Sequence, residues 1–156
     1  MLVEVRSVKV AKFASEETLC FEAKVVIDGK VVGTVRNDGH GGCSNYEPRS
    51  LFDTLTTHAK TLPDITAYGT TLSMDADLVI DELVQDFIAR KDFKKAITSR
   101  IVLVDNEGKV LQTRTLPKGT DIVAEARRFV GRPGIVHVLN LLPETEALTL
   151  FRGKAA

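Results

Sequence analysis

The sequence predicts an α+β fold with a mostly antiparallel sheet. Two segments have the pattern of β-hairpins, and the strands come in runs instead of alternating regularly with helices. Such runs are typical of α+β proteins. The predicted order of elements is βββααββαβα, with one strand before the first hairpin, another in the C-terminal half, and three to four helices. Because no segment has the composition of a long linker, we expect residues 1–156 to form a single domain.

The composition excludes several classes of protein. Lys and Arg together number 21, as do Asp and Glu, and this balance argues against an overall basic protein that binds polyanions. Two cysteines are too few for a disulfide scaffold and are typical of a reducing compartment. The first ten residues alternate charged and apolar side chains, unlike a signal peptide, and no run of about 18 apolar residues occurs. We therefore expect a cytoplasmic protein without a membrane span.

The first strand is predicted within Leu2–Phe13. Its apolar residues occupy odd positions before Ser7 and even positions after it. One extra residue in a strand moves all later side chains to the opposite face of the sheet. The change of parity therefore predicts a β-bulge at Ser7.

The next stretch, residues 19–36, is predicted to form a hairpin, and the face pattern selects its register. A two-residue loop at Asp28-Gly29 would mix apolar and charged residues on each face. A three-residue loop at 27–29 pairs Val26 with Lys30 and keeps the two kinds of residue apart. We therefore expect the second register. It places four apolar residues together on the buried face: Phe21, Val25, Val31 and Val35.

Helical spacing of apolar residues predicts the helices. The first begins after Pro48 and runs for about three turns. Ser73 is the predicted N-cap of the second, which has acidic residues in its first turn and lysines in its last, as the helix dipole favours. Thr120 is the predicted N-cap of the third, at 121–130, and a last helix begins at Pro143.

The remaining segments connect these elements. Residues 62–72 contain proline, aspartate and glycine and are predicted to be an irregular surface connection. A second hairpin is predicted at 101–113, around the turn Asn106-Glu107-Gly108. Residues Ile135–Leu139 form a short apolar run and are predicted to be a strand.

A glycine-rich loop between the first hairpin and the first helix is the sharpest candidate site. Glycines permit close approach of a ligand, and in this prediction the loop leads into a helix N-terminus, which favours anions. We expect a non-enzymatic protein that binds a protein partner or a small anionic ligand here, without a cofactor or metal. The alternative is a tight turn whose polar groups satisfy its own backbone. The candidate binding residues are Arg36, Asn37, Asp38, Gly39, His40, Gly41, Gly42, Cys43, Ser44, Asn45 and Tyr46.

Two further chemistries compete for the same loop. A small hydrolase or transferase would use Cys43 as nucleophile, His40 as base and Asp38 to orient the imidazole. A metal could be held by the same three residues with Cys20, which the preferred register places opposite Arg36. The spacing matches no known zinc module, and the charge of Arg36 disfavours a cation, so we predict no metal.

A basic region extends from Arg90 to Arg132, where eleven Lys and Arg residues face five Asp and Glu residues. Such an excess can attract nucleic acid. The region contains only two aromatic residues, Phe93 and Phe129, and both suit a core. Because stacking platforms for bases are missing, a solvated face is the better interpretation, and nucleic acid is not the favoured partner.

Three segments of the N-terminal part resemble small uncharacterised proteins of phages and bacterial mobile elements. They are 12–23, Asp28-Gly29-Lys30 and 37–42, and the resemblance covers about the first 46 residues. The resemblance implies a biological setting, but it assigns no role to any residue. In that setting the protein would be a viral accessory protein that inhibits a host enzyme or defence system in the host cytoplasm.

Overall fold

The structure, a computed structural model, describes residues 1–67 and 69–153 of the chain. It confirms an α+β fold whose sheets are antiparallel. The chain divides into two compact units, Met1–Phe87 and a second that begins at Ile88. That residues 1–156 form a single domain stays a prediction.

The first unit contains a four-stranded sheet in the order β1-β2-β3-β4, a separate two-stranded hairpin, and helical segments. The strand β4 and the hairpin β5-β6 fall where the sequence predicted loops. The order of strands and α-helices in the described residues is therefore ββββαββαββαβα. The elements of this part are β1 (Val3–Val10), β2 (Phe21–Ile27), β3 (Lys30–Asn37), β4 (Asn45–Glu47), α1 (Ser50–Ala59), β5 (Ile65–Ala67), β6 (Thr70–Leu72) and the beginning of α2 (Ala76–Ile97).

The predicted bulge in β1 is confirmed. The pairing of β1 with β2 shifts register between Arg6 and Lys9. Ser7 has a φ of +54°, which places it in the left-handed region. The change of parity in the sequence thus reports an actual extra residue in the strand.

The predicted register of the β2–β3 hairpin is wrong. The turn is the two-residue loop Asp28-Gly29, with φ values of +47° and +82°, and Ile27 pairs with Lys30. Positive φ at both central residues defines the type I′ turn, whose twist matches the twist of the flanking strands.

A second bulge lies just after this turn and explains the error. Val26 pairs with Val31, but Val25 pairs with Gly33, so β3 has one extra residue. This bulge restores the separation of apolar and charged faces that the sequence pattern requires, without a three-residue loop. It also leaves Val31 58% exposed, whereas Phe21, Val25 and Val35 are buried as predicted.

Two helix N-caps lie one or two residues after the predicted positions. The Oδ1 of Asp75, and not Ser73, accepts a hydrogen bond from the backbone N–H of Leu78 at 2.8 Å at the start of α2. The Oδ1 of Asp121, and not Thr120, accepts from Ala124 at 3.0 Å at the start of α3 (Ile122–Arg127). In each helix a carboxylate lies three residues before the N–H that it satisfies, as an N-cap requires.

The buried side of the four-stranded sheet supplies much of the apolar core of the first unit. The helices contribute the rest at helical spacing. The buried residues from these elements are Val3, Val5, Phe21, Ala23, Val25, Val26, Val35, Leu51, Leu55, Ala59, Ala76, Val79, Ile80 and Val84.

The second unit has a three-stranded sheet in the order β8-β7-β9. One set of buried residues, with Val102 and Val104 of the central strand, packs with residues of α2 and α4. The other set, with Ile101 and Leu103, packs with residues of α3. The sheet therefore has apolar packing on both faces. Its elements are β7 (Val102–Asp105), β8 (Val110–Gln112), α3, β9 (Ile135–Val138) and α4 (Glu144–Phe151).

Candidate functional site

The glycine-rich loop occupies residues 38–44, between β3 and β4. The sequence predicted that it leads directly into a helix, and this prediction is wrong. β4 pairs with β3 over Asn45–Glu47 and separates the loop from α1, whose N-cap is Arg49. The free amides at the start of α1 therefore do not belong to the loop. The helix N-terminus no longer supports the prediction of an anionic ligand there.

Asn37 organises the loop from a buried position, with 7% of its surface exposed. Its Oδ1 accepts hydrogen bonds from the Thr18 hydroxyl at 2.7 Å and from the Gly39 N–H at 2.9 Å. Its Nδ2 donates to the Gly42 carbonyl at 3.2 Å and to the Ser44 hydroxyl at 3.4 Å. An amide side chain offers both donors and acceptors, and here it uses both to fix the two ends of the loop.

Gly39 is required by contacts inside the protein. Its carbonyl oxygen accepts hydrogen bonds from the backbone N–H groups of residues 16–18 at 3.0, 3.0 and 3.2 Å. Gly39 has a φ of +88°, and a Cβ there would overlap the carbonyl oxygen of Ala14 and lie 2.9 Å from the Cβ of Cys20. The segment between β1 and β2 thus rests directly on the loop, and only glycine allows this approach.

Gly41 and Gly42 are placed differently from Gly39. The Gly41 N–H donates to the Thr18 hydroxyl at 3.3 Å, which extends the network of Asn37. Gly42 has a φ of +90°, but a Cβ there would have no neighbour within 4 Å. Backbone conformation alone therefore favours glycine at position 42.

The two proposed catalytic side chains have different carboxylate partners. The Nδ1 of His40 lies 3.3 Å from the Oε2 of Glu16, and both side chains are exposed. Cys43 is exposed. Hydrogen bonding to the neighbouring Asp77 and the negative charge of that carboxylate raise the pKa of the Cys43 thiol. A raised pKa lowers the fraction of thiolate, which is the nucleophilic form.

Asp77, in the first turn of α2, also fixes the end of the loop. Its Oδ1 accepts hydrogen bonds from the Ser44 N–H at 3.2 Å and from the Tyr46 hydroxyl at 2.6 Å. Burial, and then Asp77, raise the pKa of Tyr46, so the phenol stays protonated and acts as a donor. Partial burial and the neighbouring carboxylates at the start of α2 raise the pKa of Asp81. The C-terminal part of the predicted site is thus held by hydrogen bonds to the acidic first turn of α2.

The exposed face of the sheet presents a row of polar side chains beside the loop. Lys9 pairs with Glu22, Glu22 with Arg36, and Arg36 with Asn45, across all four strands. Residues that pair directly in a sheet project from the same face. The signs of charge therefore alternate along this row, from Lys9 on β1 to the neutral Asn45 on β4.

A depression of about 520 Å³ lies along this row. Its apolar lining includes Val10, Ala11 and Phe21, and its polar lining includes the whole cross-strand row. A mostly apolar concavity with a few polar groups is typical of ligand sites. Four of the predicted binding residues line it: Arg36, Asn37, Asp38 and Asn45.

Two further depressions each share Asn45 with the first. One of about 300 Å³ includes Glu22, Arg36 and Asn45, which it shares with the first. Another of about 590 Å³ includes Asn45 again, and with it Arg49 and Phe52 of the segment that begins α1. The first depression and the one of about 300 Å³ share Glu22, Arg36 and Asn45 of the exposed face, and we call the two together the sheet-face groove. The third depression lies beside Tyr46, which pairs with the buried Val35 and therefore projects from the opposite face.

The sheet-face groove divides the predicted residues into two groups. Arg36, Asn37, Asp38, Asn45 and Tyr46 line it. Ser44 lines the third depression, and residues 39–43 line none of the three. Sequence reasoning missed Lys9 and Glu22, although the period-2 pattern of a strand would have placed both on the exposed face with Arg36. It also missed several residues that no local pattern connects to the loop: Val10, Ala11, Phe21, Arg49, Phe52, Asp53 and Asp77.

Comparisons with family models, curated proteins and solved structures find no match to this chain. Over residues 1–67 and 69–153, no group of three or more His, Cys, Asp and Glu side chains is placed to hold a metal ion. The convergence of Cys20, His40, Cys43 and Asp38 is therefore not found. No helix in the described part of the chain is long and apolar enough to cross a lipid bilayer.

Proposed function

We propose that the protein is a non-enzymatic binding protein whose ligand contacts the sheet-face groove. One observation carries the proposal. Four of the predicted residues converge with an apolar floor in a single depression of about 520 Å³, which is within the usual range for ligand sites. Loop residues 39–43 then have a supporting role, since their hydrogen bonds hold the ends of β3 and β4 in place.

The charges favour a protein partner over a small anion. The first unit has eight Lys and Arg residues against fourteen Asp and Glu residues, a net charge of −6. Inside the groove, Glu22 lies between the two cations of the first depression, Lys9 and Arg36. An isolated anion would meet a balanced site within a negative field, whereas a protein segment can offer both signs of charge.

Two observations disfavour the enzymatic alternative. Asp77 raises the pKa of Cys43, which is the opposite of what an activated nucleophile requires. His40 pairs with Glu16, on the side of the loop that faces the β1–β2 connection. We therefore propose no catalytic role for Cys43, His40 or Asp38.

The biological setting is part of the same proposal. The resemblance of the first 46 residues to phage proteins supports an accessory protein that binds and inhibits a host enzyme or defence protein. A groove on an open sheet face gives such a protein a surface for contact with its target. In that setting the protein would act in the host cytoplasm.

Two-dimensional NMR of the ¹⁵N-labelled full chain tests the proposal with small probes. The probes are sodium acetate, inorganic phosphate, guanidinium chloride and a capped dipeptide of phenylalanine and arginine. We expect the dipeptide to shift amide signals of residues around Cys20, Arg36 and Asn45, and we expect phosphate alone to shift few. A large effect of phosphate at Lys9 and Arg36 would instead support the small anionic ligand. Shifts confined to other surfaces would overturn the proposal.

A further inference from the structure

We propose that the outer edge of β1 pairs with the same edge of a second copy of the chain, in the antiparallel direction and centred on Val5. The pairing uses residues 3–7, none of which lines the sheet-face groove, so it goes beyond the proposed function. Three observations support it, namely the position of β1 in the sheet, the direction of its backbone groups and the order of its charges.

The strand β1 forms one edge of the four-stranded sheet, because it is the first in the order β1-β2-β3-β4. It is eight residues long, whereas β4 at the other edge has three. Residues 3–6 pair regularly with β2 before the bulge at Ser7. Leu2 is 63% exposed, and Arg6 and Ser7 are exposed as well. A regular edge segment of this kind offers its backbone groups to another strand.

The backbone groups of Val3 and Val5 point outward from this edge. The Leu2 carbonyl accepts a hydrogen bond from the N–H of Asp28 at 2.9 Å, so the backbone groups of Leu2 face β2. In an antiparallel pair the direction of the N–H and C=O groups alternates from one residue to the next. Glu4 and Arg6 therefore bond to β2, and Val3 and Val5 present their N–H and C=O groups at the outer edge.

The charges of β1 favour a second copy as the partner. Glu4 and Arg6 project from the same face of the strand, and their side chains lie 3.3 Å apart. When two such strands pair antiparallel about Val5, Glu4 of each copy lies opposite Arg6 of the other. Both are non-hydrogen-bonded pairs, in which side chains approach most closely, so each contact brings opposite charges together.

Other pairings of the same two edges bring like charges together. Antiparallel pairing centred on Glu4 places the two Glu4 carboxylates opposite each other, and parallel pairing in register places each charge beside its own kind. Like charges directly opposite destabilise a pair of strands. The order of charges therefore selects the pairing about Val5, in which the two Val5 residues exchange two backbone hydrogen bonds. Because the paired segment is short, we expect the dimer to form only at high protein concentration.

Hydrogen exchange of the ¹⁵N-labelled full chain tests whether the edge is covered by a second copy. The measurement uses pH 7 and about 150 mM salt, where the Debye length of about 8 Å weakens attraction between distant charges. We expect the amides of Val3 and Val5 to exchange at least about twofold more slowly at about 1 mM than at about 50 µM protein, as a Kd of about 1 mM would give. The amides of Glu4 and Arg6 are the internal control, since they bond to β2 at both concentrations.

An NOE between the Hα protons of Glu4 and Arg6 tests the register. Residues in a non-hydrogen-bonded pair have close Cα atoms, whereas residues two apart on one strand are separated by about 7 Å. In a mixture of ¹³C-labelled and unlabelled chains, we therefore expect an isotope-filtered NOE between these two protons. Such a signal arises only between copies.

Charge reversal at the two positions tests what selects the second copy, with sedimentation equilibrium as the measurement. Glu4→Arg creates two contacts between arginines, and Arg6→Glu creates two between glutamates, so each should weaken the dimer about tenfold. The double variant Glu4→Arg/Arg6→Glu restores both opposite pairs and should recover most of the affinity. Reversal of the ion pair on α3, Glu125→Arg/Arg128→Glu, is the control and should change nothing. An effect of net charge alone would have opposite signs in the two single variants, because only one of them makes the first unit less acidic.

Each contrary outcome overturns the proposed pairing. Slow exchange of Val3 and Val5 that is equal at both concentrations would show that the chain itself covers this edge, and fast exchange at both would show that the edge stays unpaired. A dimer that both single variants leave unchanged would use another register or another surface. Failure of the double variant to recover the affinity would refute the contact between Glu4 and Arg6. If the charge variants do not fold, hydrogen exchange and the NOE of the unmodified chain decide.

Discussion

Asn37 is the residue on which the geometry of the loop most depends. Its buried side chain has four hydrogen-bond partners, two of which donate to it and two of which accept from it. Asn37→Ala would remove all four hydrogen bonds from a partly buried site. We expect a loss of about 2–4 kcal/mol in the free energy of unfolding, measured by urea denaturation. Asn106→Ala, in an exposed turn, is the control and should cost less than about 0.5 kcal/mol.

A comparison of Gly39 with Gly42 distinguishes two reasons for glycine, the close approach of a neighbouring atom and the backbone conformation. Both have φ values near +90°, so alanine at either position costs about 1–2 kcal/mol. Only at Gly39 would the new Cβ overlap the carbonyl oxygen of Ala14. We therefore expect Gly39→Ala to cost about 3 kcal/mol or more and Gly42→Ala to cost only the conformational part. Equal losses in chemical denaturation would show that the β1–β2 connection moves away easily.

Cys43 should react slowly as a thiol. Because Asp77 raises its pKa, the thiolate fraction near neutral pH is smaller than for an ordinary cysteine, and the alkylation rate should rise only at higher pH. Asp77→Asn removes the charge, so the pKa falls and the rate of iodoacetamide labelling at pH 7.5 increases. Mass spectrometry of the peptide that contains Cys43 measures this rate, and Asp53→Asn on α1 is the control. Rapid labelling of the unmodified chain would instead support the enzymatic alternative.

At the scale of elements, the β2–β3 hairpin gives the clearest contrast between two apolar residues. Phe21 is 4% exposed, and Val31, after the second bulge, is 58% exposed. Phe21→Ala should lower the free energy of unfolding by about 3–5 kcal/mol, because it removes buried surface and leaves a cavity. Val31→Ala should change it by less than about 0.5 kcal/mol. A large loss at Val31 in chemical denaturation would contradict the bulged register.

At the scale of the whole molecule, the two units have opposite charge. The first has a net charge of −6, and the second has thirteen Lys and Arg residues against seven Asp and Glu residues, a net charge of +6. At about 10 mM salt, where the Debye length is about 30 Å, the acidic unit of one molecule should attract the basic unit of another. We expect the average mass in sedimentation equilibrium at pH 7 to fall as salt is added. Association that persists or grows at high salt would indicate an apolar contact.

The sequence alone predicted the features that depend on local patterns. The parity change at Ser7 identified a bulge, because side chains in a strand alternate with a fixed period. Helical spacing located α1 and α2, and the class of fold followed from the order of these patterns. The polar loop was also identified, since glycines and polar residues cluster in the sequence itself.

Only the tertiary structure decided how the candidate site is built. The hydrogen bond between Thr18 and Asn37 joins positions 19 apart, and the one between Tyr46 and Asp77 joins positions 31 apart. No local pattern carries such pairings, because they depend on how elements dock. The same holds for the bulge in β3, which adjusts the register after a tight turn, and for β4, a three-residue strand that exists only through its pairing with β3. The physical reason is that the period of a sequence pattern indicates on which face of an element a residue lies. Which residue it contacts there is decided by the packing of that element against others.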